Sequence, residues 1–130
     1  MPHPNEKLVA ELYEARKRGD RNRIRQILHE DIAWHDPYPP PHGGDLRGLD
    51  RVLEDIFDKA GELTGGSTTL ELIDTVATDD HVAALINWSA ELKGRRLDGR
   101  ELAVYRVQDG RITEAWFYPE HQEAAWGFFS

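Results

Sequence analysis

Asp36 is the first side chain in this sequence placed to do chemistry. It follows Trp34 by two residues and precedes Pro37, in the run Asp31-Ile-Ala-Trp-His-Asp36-Pro37. On a strand, alternation puts Trp34 and Asp36 on one face and His35 on the other. A carboxylate beside an apolar, aromatic wall resists ionisation, and its pKa rises toward the range useful for general acid–base work. Asp-Pro is also an ordinary turn signal, in which the carboxylate only caps the turn. Glu114, Trp116 and Tyr118 share one face of a later strand by the same alternation. An inward Glu114 must be paired or functional; with the register one residue off it is a solvated surface group. His42 and His121 could both return toward Asp36, which leaves a His–Asp acid–base pair open. The same residues offer metal-ligand types, but no His-Glu-x-x-His spacing occurs, so no metal site is expected.

The elements that must position these groups can be read in order. Asn5 is a candidate cap for a first helix, with Leu8, Val9, Leu12, Tyr13 and Ala15 on its apolar face and Gly19 as its stop. Asp20 caps a short second helix that buries Ile24, Ile27 and Leu28. A short strand, Asp31 to Asp36, runs into the stiff loop Tyr38-Pro-Pro-Pro-His-Gly-Gly44. A third helix from Leu49 to Leu63 carries the stripe Leu49, Val52, Leu53, Ile56, Phe57 and Ala60. Four strands follow, Thr68 to Thr78, His81 to Lys93, Arg96 to Gln108 and Arg111 to Pro119, the last two joined by the hairpin signal Asp109-Gly110. A meander of this length needs helices to cover one face. Ile86, Trp88 and Ala90 share one face of their strand, and Glu101 and Tyr105 one face of the next.

Composition narrows the classes. The chain has 130 residues, a net charge of −8 and no cysteine. Disulfides and thiolate chemistry are excluded, and an acidic balance argues against a duplex nucleic-acid partner. Arg16-Lys17-Arg18, with Arg21, Arg23 and Arg25, reads as a solvated helix face rather than a phosphate patch. No apolar run is long enough to span a membrane, and the N-terminus has no signal-peptide pattern; a cytoplasmic location is expected. Neither a dinucleotide-binding glycine pattern nor a phosphate loop is present, so no nucleotide cofactor is expected.

The order of elements resembles the nuclear transport factor two superfamily, and within it the ketosteroid-isomerase and SnoaL-like proteins. The residues that carry the likeness are His29-Glu30-Asp31-Ile32-Ala33-Trp34-His35-Asp36-Pro37, the Gly19-Asp20 helix break, Arg47-Gly48 before the third helix, and Asp109-Gly110-Arg111-Ile112 with Glu114 and Trp116. The resemblance implies one α+β domain over residues 1–130, a cone-shaped curved antiparallel sheet covered by three N-terminal helices and enclosing a pocket. It implies that Asp36 is the general base beside a ketone. The steroid enzymes add a tyrosine on the first helix and a protonated aspartate on the penultimate strand. Tyr13 is the nearest tyrosine, but Leu12 holds the counted position and Ala103 stands where the aspartate would be. The base is therefore implied without that oxyanion pair.

The expectation is a cofactor-free small-molecule enzyme of isomerase, cyclase, dehydratase or hydrolase type, acting on an apolar, ring-bearing compound. Asp36 would be base or acid, and Tyr105, Tyr118, Glu114 or His121 its partner. Tyr13, Trp34, Phe57, Trp88, Glu101, Tyr105 and Trp116 would line the pocket, although Trp88 and Trp116 would equally serve to fill the cone. The alternative is a non-catalytic binding or dimerisation module. A homodimer is expected through an outward face bearing Leu102, Val104, Arg106, Thr113, Ala115 and Phe117. The tail residues Trp126, Phe128 and Phe129 are expected to cover the cone mouth or the partner.

Overall fold

Helix α1 spans Pro4–Arg18 because both of its ends are held. The cap is His3 rather than Asn5: the His3 ring accepts from the Asn5 amide at 3.1 Å, and Glu6 reaches back to the His3 amide at 2.9 Å. Pro4 then takes the first helical position, where its missing N–H costs nothing. Gly19, at φ 67°, ends the helix in the left-handed region that glycine tolerates best. Asp20 accepts from the Arg23 amide at 3.0 Å and starts helix α2, Arg21–Ile27. These coordinates are a computed structural model that describes residues 3–37, 44–58, 62 and 65–120.

Strand β1 runs over Leu28–Asp36, so Leu28 belongs to it and not to the second helix. A strand absent from the sequence reading, β2 (Gly44–Arg47), pairs antiparallel with the end of β1. Helix α3 is regular over Leu49–Val52 and widens into a π-helical turn over Leu53–Asp58, while the expected end at Leu63, with Ala60, lies outside the described residues. The remaining strands are β3 (Thr69–Ala77), β4 (His81–Leu92), β5 (Arg95–Gln108) and β6 (Arg111–Pro119). The open sheet has the order β2-β1-β6-β5-β4-β3, with β1 and β6 parallel and the other neighbours antiparallel. This is an α+β cone, with three helices against one face of a curved sheet. Among the described residues no helix is long and apolar enough to cross a membrane.

Burial identifies the concave face. Val82, Ala84 and Ile86 on β4, Ala103 and Tyr105 on β5, and Ala115 and Phe117 on β6 are buried against Val9, Leu12 and Tyr13 of α1 and Leu53 and Ile56 after α3. Bulges bend the sheet around this core. Ile73 is the extra residue where β3 slips against β4, and Thr113 where β6 slips against β5. Asn5 ties the rim of the cone to α1, donating to the carbonyls of Thr78 at 3.1 Å and Asp79 at 3.0 Å.

The Thr113 bulge overturns one set of expectations. Unbroken alternation from Ile112 would bring Glu114, Trp116 and Tyr118 into the cone. Ile112 is indeed buried, but after the bulge Ala115 and Phe117 point inward. Glu114, Trp116 and Tyr118 instead stand opposite Arg106, Val104 and Leu102 on the outer face. Ala115 and Phe117 accordingly leave the outward set in which they were expected. The Tyr38 to Gly44 loop up to residue 43, His42, His121 and the aromatic tail lie outside the described residues.

Candidate functional site

The concave face gathers an acid–base cluster from four elements. Helix α1 contributes Tyr13 and Arg16, one turn apart. Strand β1 contributes Trp34 and Asp36 by alternation, and β5 contributes Glu101 and Tyr105 from the same side. Phe57 comes from the π-helical turn. The Tyr13 and Tyr105 hydroxyls meet at 2.5 Å, both rings being buried. Burial raises both phenol pKa values well above the usual range, so the pair stays neutral. One hydroxyl donates to the other, which leaves the second proton free to donate onward.

Glu101 is a strongly perturbed carboxylic acid. Burial, then the neighbouring negative charge of Asp36, push its pKa up to about 7, against the opposing pull of Arg16. No hydrogen bond to another described side chain stabilises its ionised form. Asp36 sits at the open end of β1 and lines a hollow of about 180 Å³ with His35, Pro37, Asp45, Trp116, Phe117 and Tyr118.

A larger cavity of about 490 Å³ is lined by Tyr13, Arg16, Lys17, Gly66, Thr68, Thr69 and Leu70. Tyr13 and Arg16 connect it to the cluster. The Arg16 guanidinium lies 4.3 Å above the Phe57 ring and 5.8 Å from the Tyr13 ring centre. Phe57 in turn meets Trp34 edge-on at 5.9 Å, and Trp34 rests on Phe117 at 4.7 Å. Trp34 is only 1% exposed, and among the described residues nothing accepts its Nε1 proton.

The other expected residues fall elsewhere. Trp88 faces inward but belongs to a second apolar cluster with Ala90 and Leu92, lying across Gly99. Glu114 and Trp116 join His35 on the outer face. His35 hydrogen-bonds Asp45 at 2.9 Å and Glu114 at 2.7 Å and stacks on Trp116 at 5.7 Å. Partial burial opposes its charge, but the two carboxylates outweigh burial and raise its pKa. Tyr118 is 55% exposed on that side. Among the described residues no cluster of three His, Asp or Glu side chains is arranged for a metal ion. Arg16 was hidden in what read as a solvated basic run; its spacing of three from Tyr13 on the apolar face of α1 was the available signal.

The family model described as a SnoaL-like domain matches residues 9–115. An uncharacterized protein of Mycobacterium tuberculosis is 32% identical over 123 residues, 92% of this chain and 93% of that one. Bal32a, from a soil-derived mobile gene cassette, superposes with a TM-score of 0.92 at 26% identity, over 98% of this chain and 97% of its own. IdmH, a proposed polyketide cyclase from Streptomyces antibioticus, superposes with a TM-score of 0.74 at 26% identity, over 97% and 99%.

Proposed function

This chain belongs to the SnoaL-like domain family, and from that membership we propose that it is a small-molecule enzyme that moves protons next to a carbonyl on a ring-bearing substrate. The observation that carries this reading is Glu101, a concave-face carboxyl with its pKa raised to about 7 beside Asp36. Two carboxyls held in different environments divide acid and base duties. Asp36 accepts the proton α to the carbonyl; the C–H electron pair forms the C=C bond of the enol while the C=O π pair moves onto oxygen. Glu101, in its neutral form, donates a hydrogen bond to that oxygen, and the spare proton of the Tyr13–Tyr105 pair supplies a second. These donors replace the pair that Leu12 and Ala103 do not provide. The resulting enol carbon either takes the proton back at another position or attacks a second carbonyl and closes a ring. The description of IdmH as a proposed polyketide cyclase supports the ring-closing branch.

The experiment needs no knowledge of the natural substrate. 2-Tetralone is incubated with the protein in heavy water, and deuterium entry α to the ketone is followed by NMR. Wild type should accelerate exchange over buffer. Asp36→Asn and Glu101→Gln should each slow the catalysed exchange by about 100-fold or more, the general acid–base scale. Exchange no faster than in buffer would favour a non-catalytic binding module instead.

A further inference from the structure

Arg16 stands apart from its basic neighbours. Arg18, Arg21, Arg23 and Arg25, on the same two helices, each hold a carboxylate. Among the described residues the Arg16 side chain makes no hydrogen bond or ion pair; its guanidinium lies over the Phe57 ring and near that of Tyr13. Stacking satisfies the faces of a guanidinium and leaves the N–H groups at its edges to find acceptors. Those edges belong to a wall of the 490 Å³ cavity, with Lys17 beside them.

Tyr13 joins that cavity to the concave-face cluster, which holds further donors. Among the described residues nothing accepts from the buried Trp34 Nε1. The Tyr13–Tyr105 pair has one proton left to give. Glu101, when neutral, adds an O–H. Against these stands the Asp36 carboxylate, which the proposed reaction uses as a base. An occupant that satisfies this wall brings oxygen acceptors, and one that answers a stacked guanidinium brings a negative charge.

We propose that Arg16 binds a carboxylate carried by a flat ring compound, so that the pocket selects acidic ring substrates over neutral ones. This rests on the concave pocket being the small-molecule site proposed above. The ring lies along Phe57 and the cavity wall, the carboxylate meets the guanidinium fork, and the carbonyl end reaches toward Glu101 and Asp36. Arg16 acts here in recognition and has no part in the proton transfer.

Titrations of wild-type protein with 2-naphthoate and with 2-naphthamide at neutral pH, read by tryptophan fluorescence and calorimetry, separate the possibilities. The carboxylate should bind about tenfold or more tightly than the amide, as a charge-assisted fork contact requires. Arg16→Gln should abolish that preference while the amide still binds, which shows the pocket intact. Arg16→Lys should keep part of it. Equal affinities in the wild type, or a preference that survives in Arg16→Gln, overturn the assignment of Arg16 and leave the pocket standing. Failure of both compounds to bind at millimolar concentration overturns the assignment and the pocket together.

Discussion

A carboxyl whose ionisation is resisted by burial and by a like charge makes folding depend on pH. Glu101 titrates at about 7 in the folded chain against an ordinary value of 4.5. The folded state therefore holds this proton more tightly than the unfolded state between those values, and stability falls as pH rises through that window. The loss at alkaline pH is on the order of 3 kcal/mol. Glu101→Gln removes the ionisation. Urea unfolding at acid and alkaline pH should show the variant gaining on the wild type as pH rises; parallel pH profiles would count against a desolvated Glu101. Such instability at a site is what a polar working group in an apolar setting imposes on its fold.

At the level of elements, local signals were readable and long-range ones were not. The helix breaks at Gly19 and Asp20, the Asp109-Gly110 turn and the period-two burial of β4 all follow from neighbours in sequence. The shared face of Glu101 and Tyr105 on β5 was legible for the same reason. The Thr113 bulge was not, because it is set by how β6 must lie against β5 and β1 together, and it reversed Glu114, Trp116 and Tyr118. Strand β2 was missed because a four-residue edge strand carries no periodicity of its own. Gly99 shows how tightly one pairing is specified. It faces Trp88 across the β4–β5 ladder, and an added Cβ would lie 2.7 Å from the indole ring. Gly99→Ala should lower stability by about 1–3 kcal/mol, the usual effect of overpacking. Chemical denaturation measures this, and an unchanged midpoint would mean that the indole moves aside freely.

Over the whole molecule, the corrected register defines an outer face different from the expected one. Leu102, Val104, Trp116 and Tyr118 now lie together there, with Leu102 41% and Tyr118 55% exposed. We propose that this face meets a second copy of the chain, because an apolar patch on an extended sheet is closed most simply by its own symmetric partner. Light scattering should give the mass of a dimer at micromolar concentration, and Tyr118→Glu should shift it toward the monomer. A wild-type monomer at high micromolar concentration would remove the proposal. His35, bridging Asp45 and Glu114 on the same face, ties β2, β1 and β6 together just beneath this surface. On this proposal the concave side is left to the small molecule and the outer side to the second copy.

The proposed proton transfer requires a carboxylic acid poised near neutrality beside a second carboxylate on the concave face. Carbon-detected NMR of protein labelled at the glutamate side chains gives the Glu101 titration directly. The midpoint should lie at about 7 and should fall in Asp36→Asn, which removes the neighbouring charge that helps raise it. A midpoint near the ordinary 4.5, unmoved by Asp36→Asn, would contradict the account.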